Sequence, residues 1–334
     1  MSDQSNLSGK YCSALLFQLA AFVCLAWFAA TGAAQGYPAK PLRLIVPFAP
    51  GGTNDIMARG VAPELSAILG QQVIVDNRGG ASGQIGAEAV AKSPPDGYTL
   101  MLVSSSVMSH GPAVNPNLRY DMVRDFAPVG KVSEVPLVIV VHPSVPAKTT
   151  RQFIALAKAR PNDLRMAIGG TGTTSHLVTE LFAVATGTRM LIVPYKGAGP
   201  ALVDLLGGHL DGRIDQIPSS MPHIQSGRLR AIAVTTTRRA QLLPELPTLA
   251  ESGVPGFDAS TVIAIFVPVA TAQDIVQRLN AALNKALGSP ALKERLASQG
   301  AEPRPGTSEE LGRFVREDLA KWKKVVQQTG IKFE

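Results

Sequence analysis

The chain of 334 residues exceeds the roughly 250–300 at which single cores stop growing, so it reads as two domains or one large α/β unit. Hydrophobic residues at 46% argue against disorder, while 17% charged and 5% aromatic residues disfavour coiled coils and binders that stack nucleic-acid bases. A net charge of +7 permits an anionic partner, and two cysteines exclude a zinc ribbon or finger.

Met1–Lys10 is polar with one basic residue, Lys10, and residues 13–30 are apolar apart from Ser13 and Gln18. Small residues follow at Thr31, Gly32, Ala33 and Ala34. This order predicts a secretory signal peptide over 1–34, cleaved near Ala33 or Ala34. The Pro-rich restart at Tyr37-Pro38-Ala39-Lys40-Pro41 favours cleavage over a retained anchor helix. Cys12 and Cys24 fall inside this leader, so the mature chain would have neither thiol nor disulfide and would rely on its core.

Beyond the leader, β-branched runs alternate with helical patterns. Residues 42–48 (LRLIVPF) read as a strand, and Thr53 or Asn54 caps a helix that Gly70 ends. Residues 72–76 are a strand, 82–92 a helix and 99–103 a strand. A second series starts with a strand over 137–141, then a helix opened by a capping box at Thr149…Gln152 and stopped before Pro161. Strands over 164–168, 190–194 and 229–235 alternate with helices over 173–185 and 200–206. A strand over 262–267 precedes two amphipathic helices, 271–287 and 307–328, each opened by a capping box (Thr271…Asp274, Thr307…Glu310). Strand, helix, strand with short connections predicts parallel βαβ units. Lys321, Lys323 and Lys324 fall on the polar face of the last helix and read as a solvated surface.

The common catalytic signatures are missing. Gly169-Gly170-Thr171-Gly172-Thr173-Thr174 lacks the Gly-Lys-Ser/Thr ending of a P-loop, and the first strand is followed by Pro50-Gly51-Gly52-Thr53-Asn54-Asp55, not a dinucleotide fingerprint. A Gly-x-Ser-x-Gly elbow is missing too. His110, His142, His176, His209 and His223 never fall at metal-ligand spacing. No catalytic residue, cofactor or metal is therefore expected.

Two segments stand out for ligand binding. Residues 48–55 (FAPGGTND) and 168–176 (IGGTGTTSH) each run from a strand into a helix through paired glycines. Glycines let backbone approach a ligand, and the first helical N–H groups point toward it. The hydroxyls of Thr173 and Thr174 add donors. The pair predicts a carboxylate site made of dipoles and N–H groups, without arginine. Tight turns with no ligand are the alternative reading of either loop alone.

The mature sequence resembles the periplasmic solute-binding proteins of tripartite tricarboxylate transporters, the TctC or Bug family, from Tyr37 to the C-terminus. The resemblance rests on an ordered succession: Pro47–Asp55 with Ala58-Arg59, Asn77-Arg78, Pro95-Asp96-Gly97-Tyr98-Thr99-Leu100 and Asp125-Phe126-Ala127-Pro128-Val129. Then come Gly172-Thr173…His176-Leu177, Val193-Pro194-Tyr195-Lys196-Gly197, Asp204-Leu205-Leu206-Gly207-Gly208, Gly227-Arg228-Leu229-Arg230-Ala231 and Leu246-Pro247-Thr248…Glu251-Ser252-Gly253.

The resemblance implies an α/β, two-lobed periplasmic-binding-protein fold, type II-like, each lobe a mostly parallel sheet flanked by helices with the ligand cleft between. Lobe 1 would comprise 37–136 plus 251–334, and lobe 2 would comprise 137–250. It implies a monomeric receptor without cofactor that closes on a small organic carboxylate and delivers it to membrane permease subunits. In the family the two glycine loops hold the carboxylate, which here are Ala49, Gly51, Gly52, Asn54 and Asp55, and Gly170, Thr171, Gly172, Thr173 and Thr174. Ser104 and Asp215 fall where the family places further pocket residues. The chain departs from the family at Ile168-Gly169, where Ser is common, along Val262–Ala272, and at Arg213. An outward, solvated Arg213 is expected, although Asp215 shares its strand face and an inward Arg213 near the pocket rim could pair a second carboxylate. A binding protein feeding a sensor, or an exported α/β enzyme, are the competing readings.

Overall fold

The computed structural model describes residues 36–329. The expected signal peptide and both cysteines lie outside the described residues. Among those described, no helix is long and apolar enough to cross a membrane.

From Lys40 onward, strand β1 (Leu42–Val46) leads into α1 (Thr53–Leu69), β2 (Val73–Asn77), α2 (Gln84–Ala91) and β3 (Thr99–Ser104). β1 pairs in parallel with both β2 and β3. Gly70, at φ 71°, closes α1, and its N–H donates to the Ser66 carbonyl. That left-handed position favours glycine, as expected. A π turn (Ser106–His110) and a short helix α3 (Gly111–Val114), neither legible in the sequence, follow β3.

The chain then crosses in one long strand, β4 (Phe126–Val141). Only its second half was expected. Pro128, Gly130 and Pro136 interrupt the alternation in its first half, and the register shifts between Pro128 and Gly130 and again between Lys131 and Ser133. Those bulges let prolines sit in a paired strand without breaking it.

The second half contains α4 (Thr150–Ala159), β5 (Arg165–Ile168), α5 (Thr174–Thr186), β6 (Leu191–Pro194) and α6 (Ala198–Leu206). It continues with β7 (Gly212–Gln216), α7 (Ile217–Gln225) and β8 (Arg230–Val234). The chain returns through β9 (Ser260–Pro268), α8 (Gln273–Gly288), α9 (Pro290–Ala297), β10 (Glu302–Pro303) and α10 (Ser308–Thr329). The strand order is β2-β1-β3-β9-β4-β7-β5-β6, with β8 and β10 also on β4. The first half of β4 pairs with β9, and its second half with β7 and β8. Where its partners change, Thr235 Oγ1 donates to the Ala259 carbonyl at 2.6 Å and Thr235 N–H to the Leu137 carbonyl at 3.0 Å.

Side chains of β4 alternate between two cores, as a strand covered on both faces requires. Leu137, Ile139 and Val141 face Phe153 of α4 and Phe182 of α5. Val138 and Val140 face Leu202 and Leu205 of α6 and Met221 of α7. Leu249, Val254, Phe257 and Ala259 join the first of these cores, as does Trp322 from α10. Phe182 stacks between Phe153 and Phe257 at ring separations of 6.2 and 6.4 Å. Truncating it to alanine would cost about 3–5 kcal/mol.

Of the three expected capping boxes, two form. Thr149 Oγ1 accepts from Gln152 N–H, and Thr307 and Glu310 exchange hydrogen bonds at 3.2 and 2.8 Å. The third does not: Ala272 is the N-cap of α8, and Thr271 Oγ1 is buried without a hydrogen-bond partner.

Candidate ligand site

The site lies where strands run into helices. β1 leaves through Phe48–Gly52 into α1, with Gly51 at φ 83°. Gly51 N–H donates to Asp55 Oδ2 at 3.0 Å, and Arg59 Nε donates to Asp55 Oδ1 at 2.9 Å. Asp55 therefore braces the turn from inside α1. Asn54 Nδ2 donates to the buried Ser104 hydroxyl at 3.4 Å, while its Oδ1 is buried with no partner.

The second loop is wired more densely. Gly170 and Gly172 adopt φ 126° and 77°, which explains glycine at both positions. Gly169 N–H donates to Ser175 Oγ at 2.9 Å, and Thr173 Oγ1 donates to the Gly170 carbonyl at 2.7 Å. Gly172 N–H donates to His176 Nδ1 at 3.1 Å, so the ring carries its proton on Nε2, 3.7 Å from Glu180 Oε1. Thr174 N–H donates to Ser106 Oγ at 2.9 Å, which ties the loop to the π turn.

A third strand-to-helix turn joins them. β6 enters α6 through Gly197, at φ 130°, and α6 presses on the first loop. A methyl built on Gly199 would overlap the Pro50 carbonyl, and one on Gly52 would stand 3.3 Å from Ala198 Cβ. Sequence reasoning missed this turn as a site element, although Tyr195-Lys196-Gly197-Ala198-Gly199-Pro200 repeats the glycine-into-helix pattern of the other two.

Between these turns lies a cavity of about 30 Å3, the scale of one or two water molecules. Gly52, Asn54, Thr173 and Asp215 of the expected residues line it, Thr53, Ser106, Gly169 and Gly197 line it unforeseen, and Arg213 lines it against the expectation of an outward side chain. Ala49, Gly51, Asp55, Ser104, Gly170, Thr171, Gly172 and Thr174 stand in the loops or behind them, outside that lining. Thr171 is exposed and Ser104 fully buried.

The N-termini of α1, α5 and α6 all meet here, and none has a side-chain cap. The helices capped by side chains, α4 at Thr149, α9 at Ser289 and α10 at Thr307, begin elsewhere, and the uncapped α2 and α8 also begin outside the cavity lining. Each N-terminus carries a partial positive charge of roughly half a unit, so together they favour an anion.

Arg213 corrects two expectations. It is 3% exposed, not solvated, and its Nε lies 2.8 Å from Asp215 Oδ1. The cavity between the glycine turns is therefore not free of arginine, contrary to the expectation. The strand periodicity that put Arg213 and Asp215 on one face was the better guide. Asp215 Oδ2 accepts from the hydroxyls of Ser219 and Ser220 at 2.7 and 2.8 Å. Ser219 in turn accepts from Thr53 Oγ1 at 3.1 Å, linking α7 to α1. Among the described residues no cluster of His, Cys, Asp and Glu could hold a metal ion.

Comparison with known proteins places the chain in a family. The family model of the tripartite tricarboxylate transporter family receptor matches residues 57–331. The chain belongs to that family. Within it, the chain is 43% identical to Protein BugT of Bordetella pertussis over 321 residues, covering 96% of this chain and 98% of that one. The solved structure of Rpa4515 from R. palustris with adipate superposes with a TM-score of 0.86 at 38% identity, covering 89% and 99% of the two chains. MatC from Rhodopseudomonas palustris with bound malate gives 0.84 at 32%, covering 87% and 100%. The fold is the two-lobed, mixed α/β fold of periplasmic binding proteins. Family members and structural neighbours are periplasmic solute-binding receptors.

Proposed function

We propose that this receptor captures a small organic carboxylate in the periplasm and hands it to the membrane permease subunits of a tripartite tricarboxylate transporter, without turnover. The observation that carries the reading is the convergence of three uncapped helix N-termini on one cavity. Such an arrangement suits a carboxylate, and adipate and malate accompany the two neighbouring structures.

In this reading lobe 1 comprises 37–136 plus 251–334 and lobe 2 comprises 137–250, except that Val254, Phe257 and Ala259 pack in the core of lobe 2, and closure brings the Ala49–Gly52 loop onto Gly197–Gly199. Gly52, Asn54 and Thr173 contact the solute, while Asp55 and Ser104 hold the first loop in shape. A cavity of about 30 Å3 is too small for such a solute, so the loops must part to admit it. Export by a cleaved leader and action as a monomer belong to the same proposal.

The test is thermal unfolding against a panel of mono- and dicarboxylates, with each compound assayed for consumption. A cognate solute at a hundred times its Kd stabilises by about 2.7 kcal/mol. Failure of every carboxylate to raise the melting temperature would overturn the proposal, as would consumption of one.

A further inference from the structure

Arg213 and Asp215 are the two charged side chains lining the cavity, and they are not equally satisfied. Asp215 accepts two hydroxyl hydrogen bonds on Oδ2 and stands just before the N-terminus of α7, which favours negative charge. Asp215 therefore has support in addition to Arg213. The guanidinium has the Asp215 ion pair but less hydrogen-bonding support. Nε lies at ion-pair distance from Asp215 Oδ1 but is poorly aligned for a hydrogen bond, and Nε and Nη1 are buried with no acceptor among the described residues. A methyl built on Gly169 would lie 3.6 Å from Nη2, so the guanidinium faces the second glycine loop.

Buried donors on a charged group call for acceptors, and the planar guanidinium fork matches a carboxylate better than it matches any neutral group. The helix N-termini already provide for one carboxylate. We infer that Arg213 is the specificity-determining residue, reading a second acidic group, so that the solute is a small dicarboxylate whose ends are held by unlike means. One end meets backbone N–H groups and hydroxyls, and the other meets a full positive charge. The inference rests on the carboxylate-binding reading above and adds a residue and a charge state to it.

Calorimetry with matched pairs tests it: succinate against butanoate, and adipate against hexanoate. The wild type is expected to bind at least one dicarboxylate about tenfold or more tightly than its monocarboxylate partner, or about 1.4 kcal/mol. Arg213→Gln should bring that ratio close to one, chiefly by weakening the dicarboxylate. Since this variant leaves Asp215 buried without its cation, Arg213→Gln with Asp215→Asn is measured beside it, and it should melt near the wild type and show the same lost ratio. If the ratio survives in the double variant, or is near one in the wild type although carboxylates bind, the role of Arg213 is refuted and the carboxylate reading stands. If no carboxylate binds, the carboxylate reading itself fails.

Discussion

Replacing Gly199 with alanine separates binding from folding. Gly199 sits in the first turn of α6, with no positive φ, so its own backbone accepts a side chain. In a helix, alanine is favoured over glycine by up to about 1 kcal/mol, by less in the first turn, so the variant should unfold no more easily than the wild type. The added methyl would overlap the Pro50 carbonyl across the cleft. Relieving such overpacking costs about 1–3 kcal/mol, and only when the two loops are together. Carboxylate affinity should therefore fall about 5- to 150-fold while the ligand-free melting temperature holds or rises. Isothermal calorimetry and thermal unfolding of the same preparation check both halves. Unchanged affinity would show that these loops need not approach during binding, and a melting temperature falling in step with affinity would show that Gly199 matters only for packing.

Gly172 should behave differently. At φ 77°, with Val114 Cγ2 3.1 Å from any added methyl, Gly172→Ala should lose about 1–2 kcal/mol in urea unfolding as well as weakening binding. His110 is fully buried against Trp322, and burial, helped by Lys321, holds its pKa down at about 3. The unfolded chain takes up this proton near pH 6.5 and the folded chain does not, so His110's contribution is complete above pH 6.5 and is lost as pH falls toward 3. Asp318, 3.9 Å from Nε2 and with its own pKa raised by burial, opposes this trend in the carboxylate range. Between pH 7 and 5 the wild type should lose about 2 kcal/mol relative to His110→Gln, read from denaturant midpoints; parallel pH curves would refute the buried neutral ring. Thr307→Ala should cost about 1 kcal/mol by opening a working capping box, whereas Thr271→Val should be neutral or stabilising, because its hydroxyl is buried without a partner. Circular dichroism melts of the two variants should therefore diverge.

Much of the architecture was legible because local chemistry decided it. Gly70 ends α1 in the left-handed conformation that the sequence suggests, and Gly187 ends α5 in the same way. The strand-into-helix glycines at Gly51-Gly52 and Gly170–Gly172 fall in one neighbourhood, as paired ligand loops require. What escaped depended on tertiary context. The first half of β4 carries prolines that only bulges reconcile with pairing. Thr271 and Thr307 head similar patterns, yet only Thr307 becomes a cap, because the chain leaving β9 turns one residue later than the motif suggests. Period-2 alternation put Arg213 and Asp215 on one face, but which face the cavity occupies depended on α5 and α7 packing around β7. The π turn at Ser106–His110 has no pattern of its own, and it is held from outside by Thr174 and by α10.

The antiparallel seam between β3 and β9 pairs Ser104 with Ile263, and the seam between β9 and β4 pairs Glu134 with Val262. The half that starts the chain is therefore closed by a strand from near its end. Any fragment stopping before Ser260 leaves β3 and the first stretch of β4 with open edges, competent for pairing with another chain. Assembly of the first half has to wait until β9 is available, and such distant pairings form slowly. The turn at Gly51-Gly52 thus acquires its full setting only after the distant β9 segment has paired.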